Sequence, residues 1–268
     1  MPMNTAHAAT IAALLQRQGR ADIAVHAFAT LGSTNVWLSS GEAERVEAPA
    51  ICLTDHQTHG IARRGREWET LPGHLTFSLL QRLTPPSAGP GALALVTGMA
   101  VARTLQDETG VAVRIKWPND LFVAGSKLGG ILVEARHENG KRLRLVGGIG
   151  INLVQDDRLA TFGATSLAEH GVAPQRRDEL LASIAARVFQ AWERFESGGW
   201  AVFSRDWPAF DSLHERPVTV FDGPVGTTDT FTGIARGVSD DGALLVDTPS
   251  GLRRVHAGEV SVRAGAAS

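Results

Sequence analysis

KWPNDLFVAGSKLGGILVEA, residues 116–135, and the VGGIGINL that follows at 146–153 decide the fold. Both are rich in branched and aromatic residues, broken by glycine rather than by helix-forming stretches, and so read as strands. Pro118 sets a turn that holds Asn119 and Asp120 near a strand end. The pair Gly129–Gly130 weakens a strand unless something packs against its backbone. VGGIGINL invites a dinucleotide-binding reading, but its glycines are 147, 148 and 150. The G-x-G-x-x-G spacing is absent, and no long helix clearly follows.

Working outward, VAVRIKW, LFVAGSKLGGILVEARH and KRLRLVGGIGINL are three strand-like runs, with ENGK (138–141) as a hairpin turn between the last two. IAVHAFAT (23–30), AICLT (50–54) and HLTFSLLQRL (74–83) are further strands. Helices are expected over 7–18, from about 91 to 108, and over 176–196. The last carries Leu180, Leu181, Ile184, Val188, Phe189 and Trp192 on one face. Ser33 or Thr34 caps a short helix starting near Val36. After residue 215, short strands alternate with Gly-rich turns, the texture of a small all-β, barrel-like tail. Strands and helices do not alternate regularly, which argues against a doubly wound parallel sheet. The expectation is an α+β protein, a mixed β-sheet packed against helices, with a small C-terminal β domain. Its divisions are a helical extension over 1–22, a main domain over 23–213 and the β domain over 214–268.

The chain has 268 residues, 43% hydrophobic and 20% charged, with a formal net charge of −2. A core is well supplied, and a surface that grips nucleic acid throughout is disfavoured. Cys52 is the only cysteine, so no intramolecular disulfide forms. The first residues lack a basic segment ahead of an apolar run, and GALALVTGMAVARTL is interrupted by Arg103. A cytoplasmic location is expected.

Three groups of residues bear on chemistry. The first is THGIARRGREW, 58–68, where Arg63, Arg64 and Arg66 alternate with Gly60 and Gly65. Guanidinium forks and close-approaching backbone N–H groups suit a phosphate or a carboxylate, though a solvated turn has the same composition. The second is Lys116, Asn119, Asp120 and Lys127. An Asp beside an Asn suits a Mg²⁺–nucleotide, but also an ordinary Pro-Asn-Asp turn. The third is the glycine run with Asn152, which suits a flat surface beside a ligand or a tight strand crossing. The Ser-elbow and P-loop patterns are absent, and His56 and His59 lack a third ligand for zinc.

Taken in order, GSTN, QTxGxxRRGRxW, KWPNDLxxxxxKLGGILVE, GGIGINL and the tail segment GIARGVSDDGALLV span about residues 25 to 263 and resemble the biotin protein ligase family. The resemblance implies a biotin/lipoate ligase-like catalytic domain and a C-terminal SH3-like β-barrel. It also implies a ligase of the monofunctional type, without an N-terminal DNA-binding domain and without DNA as a partner. The implied reaction consumes ATP with Mg²⁺. Biotin's carboxylate attacks the α-phosphate, and the biotinyl-5′-AMP formed is attacked by a lysine of a carrier, usually the acetyl-CoA carboxylase subunit.

By position, the resemblance assigns Ser33, Thr34, Asn35 and Gln57 to biotin's ureido head, Gly60 and Arg63 to the loop covering the adenylate, and Gly130 to the pocket floor. Lys127 is assigned to the carboxylate and the activated carbonyl. Arg64, Arg66, Trp68, Lys116, Asn119, Asp120 and Asn152 are assigned to ATP, with Mg²⁺ near Asn119 and Asp120 and no metal held by protein alone. Lys127, Arg63 and Asp120 are the catalytic candidates, Asp120 as the group that helps the incoming lysine.

The family's loop reads Gly-Arg-Gly-Arg-Arg-Gly-Arg. Here Ile61 and Ala62 replace an arginine and a glycine. If Ala62 must adopt a positive φ, it is strained by roughly 1 kcal/mol or more. Three other readings stay open: a lipoate or octanoate ligase, a non-catalytic biotin sensor, and a nucleic-acid module built on the arginine loop. The oligomeric state is also open, a homodimer included.

Overall fold

The computed structural model describes residues 4–40, 46, 49–84, 86, 90–138, 142–221, 230–257 and 261–264. In chain order the elements are α1 (Thr5–Arg17), β1 (Ala24–Leu31), α2 (Thr34–Ser39), β2 (Ala50–Gln57), β3 (Leu75–Leu83), α3 (Leu93–Thr109), β4 (Arg114–Lys116), β5 (Asp120–Val123), β6 (Ser126–His137) and β7 (Leu143–Ile151). The remainder are α4 (Asp157–Thr161), α5 (Arg177–Gly198), α6 (Ala201–Ser204), β8 (Pro217–Phe221), β9 (Thr230–Val238), β10 (Leu244–Thr248), β11 (Gly251–Val255) and β12 (Ser261–Ala264). Seven strands form one mixed sheet in the order β1-β2-β3-β7-β6-β5-β4. β1 and β2 run parallel and the other neighbours antiparallel. Any doubly wound parallel arrangement is excluded.

Residues 121–137, expected as one strand-like run, fold back on themselves. Ala124 (φ 49°) and Gly125 (φ 86°) form a two-residue turn with Val123 opposite Ser126. Two positive φ values match the twist of a tight hairpin, and Gly125 takes its share at no steric cost. β7 pairs along its whole length with Gly129–His137 of β6, His137 opposite Leu143. Three of the four residues expected to turn there, 139–141, lie outside the described residues.

One face of the sheet is buried under α1, α3 and α5. On α5, Leu181, Ile184, Val188, Phe189, Trp192 and Phe195 recur at helical spacing and are buried. Trp192 also donates its indole N–H to Thr97 Oγ1 on α3 at 3.0 Å, so its one polar atom is satisfied in the core. α1 belongs to this layer: Ile11 and Leu15 join the core through contacts with α5 and β1. On the opposite face, among the described residues, α2 packs over a small apolar cluster of Phe28, Leu31, Leu38, Ala50, Cys52, Leu80 and Val146. Burial there pushes the Cys52 thiol up, far from reactive ionisation. The rest of that face is left for a cleft.

The C-terminal unit is a five-stranded antiparallel sheet in the order β11-β10-β9-β8-β12. It is consistent with the expected SH3-like module; among the described residues β11 and β12 do not pair, so no closed barrel is drawn by these strands alone. Its β9–β10 turn abuts the start of α3. A side chain at Gly91 would lie 2.1 Å from Asp241 O, and Trp117 donates its indole N–H to Gly242 O at 3.0 Å.

Candidate active site

A single row crosses the sheet through paired residues: Thr76 on β3, Gly150 on β7, Gly130 on β6, Asp120 on β5 and Lys116 on β4. Cross-strand partners share a face, so this row, with Gly148 beside it, makes a floor without side chains between polar walls. A Cβ at Gly148 would lie 2.3 Å from Asn35 Oδ1, and one at Gly150 would lie 2.3 Å from Trp68 Cζ2. The glycines of VGGIGINL split by strand alternation. Gly148 and Gly150 face the cleft, whereas Gly147 faces the helices, where a Cβ would meet Trp192 at 2.8 Å.

The polar wall begins at α2. Ser33 caps the helix, its Oγ accepting from Val36 N at 3.5 Å. Thr34 N and Oγ1 both donate to Gln57 Oε1, at 2.9 and 3.2 Å. Gln57 Nε2 donates to Thr70 Oγ1. Ser78 Oγ donates to Asn35 Oδ1 at 2.6 Å and meets Thr34 Oγ1 at 2.7 Å, and Asn35 Nδ2 donates to Glu134 Oε2 at 2.9 Å. Ser33, Thr34, Asn35 and Gln57 are all buried. A dry, interlocked wall of this kind fixes its donors and acceptors before a ligand arrives.

The charged wall stands opposite. Lys127 Nζ and Asp120 Oδ1 form an ion pair at 2.7 Å above Gly130, whose absent Cβ would sit 3.9 and 3.6 Å from those two atoms. Trp68 lies on the glycine floor, its ring 5.8 Å from Lys127 Nζ. Arg63 Nη1 donates to Asn119 Oδ1 at 3.1 Å, and its Nη2 donates to Ala257 O in the C-terminal unit at 3.0 Å. Burial, then the neighbouring Arg64, draws the Arg63 guanidinium below its ordinary value, against the pull of Asp120. It remains charged at neutral pH.

The arginine loop is a small hairpin closed by Trp68 N→Gly60 O at 2.9 Å and Ala62 N→Arg66 O at 2.8 Å. Gly60 is required there, since a Cβ would lie 2.2 Å from Trp68 O. The expected strain at Ala62 is not found. Ala62 is extended, at φ −108°, and the left-handed residues are Arg64 (φ 63°) and Gly65 (φ 65°) at the tip. The glycine missing from the family pattern falls in an extended arm, where alanine costs nothing.

Ser33, Thr34, Asn35, Gln57, Arg63, Arg66, Trp68, Asn119, Asp120, Lys127 and Gly130 all line one cleft. Four other candidates do not line it. Gly60 closes the loop's base, and Arg64 points outward at its tip. Lys116 extends over the Phe122 ring at 5.4 Å. Asn152 donates its side-chain amide to Thr165 O at 3.0 Å, bracing the chain after β7. Sequence reasoning missed Thr76, Phe77, Ile131 and Leu132 in the lining. The polar alternation Thr76–Ser78 within an apolar strand was the available signal. Asn119 Oδ1 and the Asp120 carboxylate are hard oxygen donors that suit a magnesium ion carried in by phosphates.

A model of the biotin/lipoate A/B protein ligase family matches residues 28–152, and a model of the biotin protein ligase C-terminal domain matches residues 215–263. The bifunctional ligase/repressor BirA of Escherichia coli (strain K12) is 33% identical over 237 residues, covering 87% of this chain and 72% of its own length. The biotin--[acetyl-CoA-carboxylase] ligase of Paracoccus denitrificans is 31% identical over 229 residues, covering 81% of this chain and 92% of its own. Among solved structures, the biotin protein ligase from Aquifex aeolicus in complex with biotin and ATP superposes with a TM-score of 0.75. Its identity is 26%, over 90% of this chain and 99% of that one.

Proposed function

We infer the reaction from the premise that the chain belongs to the biotin protein ligase family: it attaches biotin to a lysine of a biotin carrier protein at the expense of ATP. The observation that carries this reading is the cleft itself. One floor of glycines joins a dry polar wall that suits a neutral ureido ring to a cationic wall that suits a carboxylate beside phosphates.

In the first step a carboxylate oxygen of biotin attacks the α-phosphorus of ATP, the bond to pyrophosphate breaks, and biotinyl-5′-AMP forms. Two anions have to meet, which Coulomb repulsion opposes unless fixed cations offset it. Lys127 and Arg63 fill that role, Lys127 placed by Asp120 and Arg63 placed by Asn119. Asn119 and Asp120 would hold a Mg²⁺ carried in with ATP, which would add charge neutralisation there. Arg66 lines the same cleft and suits the phosphates; Arg64 suits them once the loop closes. In the second step the carrier's lysine amine attacks the acyl carbonyl and AMP leaves. Asp120 is a carboxylate lining the cleft and takes the role of helping the amine lose its proton. Ser33, Thr34, Asn35 and Gln57 hold the ureido head, over Gly130.

The acceptor is the biotin carrier of acetyl-CoA carboxylase, as the names of two relatives suggest for those proteins. Residues 23–213 act as the catalytic unit and 214–268 as a module that steadies Arg63 through Ala257. The enzyme works in the cytoplasm, in keeping with its lone, buried Cys52, and without DNA. Among the described residues no helix is long and apolar enough to cross a membrane. Mass spectrometry of a carrier domain incubated with the protein, biotin and Mg-ATP tests the reading. The carrier is expected to gain one biotin at one lysine. An unmodified carrier, with biotin bound but ATP intact, would favour the sensor reading instead.

A further inference from the structure

Among the described residues, six side chains hold a buried polar atom without a hydrogen-bond partner: His26, His74, Thr76, Asp178, Trp207 and Asp211. Only Thr76 lines the cleft. The residue is 4% exposed, and its Oγ1 reaches no partner. The polar side chains around it bond one another. Thr34 and Gln57 bond each other, Gln57 also bonds Thr70, and Ser78 and Asn35 complete the chain. A hydroxyl left unpaired away from water is costly, and proteins keep one chiefly where a ligand completes it.

Thr76 stands on β3 two residues before Ser78, so both point to the cleft face, and it is paired with Gly150 of the floor. It lies at the polar end. Asp120 is three strand spacings away along the same row, roughly 14 Å.

We propose that Thr76 is a substrate-binding residue whose hydroxyl hydrogen-bonds the ureido head of bound biotin. This rests on the reading that biotin is the substrate. A hydroxyl both donates and accepts, and a ureido group offers N–H donors and a carbonyl oxygen, so either sense completes the orphan. Thr76 Oγ1 therefore gains a bond on binding without giving one up.

The test compares wild type, Thr76→Val and Thr76→Ser by calorimetric titration with biotin and with dethiobiotin, which keeps the ureido ring and lacks the sulfur. Melting curves of the free proteins accompany it. Valine keeps the shape and removes only the hydroxyl. Thr76→Val is expected to bind both ligands about tenfold more weakly. It should melt no lower than wild type, since an unsatisfied group has been removed, and Thr76→Ser should bind within about threefold of wild type. Thr76→Val binding biotin within twofold of wild type would overturn the proposal. So would a loss matched by a lower melting temperature and not rescued by serine, or a loss confined to biotin, which would assign the bond to sulfur. Failure of the wild type itself to bind biotin would bring down the underlying reading as well, and is distinguishable because it precedes any substitution.

Discussion

Gly150→Ala should disable biotin binding while leaving the fold standing, and Gly147→Ala should do the reverse. The two positions are three residues apart on β7 and face opposite sides of the sheet. At Gly150 an added carbon would lie 2.3 Å from Trp68 Cζ2, where ordinary contact begins at 3.4 Å. The indole must therefore move by about 1 Å, the difference of those distances. Overfilling a packed site costs roughly 1–3 kcal/mol. Trp68 belongs to a surface hairpin and can yield, so the cost falls on the shape of the cleft. That converts to about a 5- to 150-fold loss of biotin affinity. At Gly147 the added carbon meets Trp192 at 2.8 Å, and Trp192 is 0% exposed. It has nowhere to go, so the same ~1–3 kcal/mol comes off stability, a fall in Tm of roughly 2–10 °C. Calorimetric titration with biotin and differential scanning fluorimetry read the two effects. If Gly150→Ala binds within twofold of wild type, or if both variants lose affinity and stability alike, the two-faced reading of this strand is wrong.

Arg63→Gly should release biotinyl-AMP about 10- to 100-fold faster, as expected for losing a charge-assisted contact, and so label bystander proteins in a mixture. Retention as tight as wild type would remove Arg63 as the guard of the intermediate. Asp120→Asn should change stability by less than about 1 kcal/mol, because the pair with Lys127 is a third exposed. It should nonetheless slow adenylate formation at least about tenfold, read as pyrophosphate release; an unchanged rate would make the pair structural only. Burial holds the His74 imidazole down at about 4 from its ordinary 6.5. Between those values the unfolded chain binds more protons than the folded one, so stability falls as pH drops through the window. Urea midpoints at pH 7 and 4.5 should show a smaller drop for His74→Gln than for wild type; equal drops would assign the loss elsewhere.

The sequence carried the sheet's strands because its runs are strongly β-branched, and it carried α5 because Leu181, Ile184, Val188 and Trp192 repeat at helical spacing. It did not show the hairpin at Ala124–Gly125. Ala-Gly is a weak turn signal, and Ala124 takes a positive φ that its side chain does not advertise. In the cleft, the charged residues were legible from type and order. Lys116 and Asn152 lie outside the cleft lining because their side chains find other partners, the Phe122 ring for Lys116 and Thr165 O for Asn152, and the sequence does not announce those partners. The Ala62 strain failed for a related reason: the loop's left-handed tip is two residues further on. Thr76 stayed hidden because the Thr76–Ser78 alternation does not tell which of the two hydroxyls is left without a partner. Its meaning comes from the partners that Ser78, Thr34 and Gln57 find in one another.

The central claim is that this cleft joins a carboxylate to ATP before any carrier arrives. Exchange of labelled pyrophosphate into ATP, measured without carrier, tests it directly. The account predicts exchange with biotin, little with lipoate or octanoate, and a loss of about 100-fold or more in Lys127→Met. No exchange with biotin, exchange equal with lipoate, or full exchange in the Lys127 variant would contradict it.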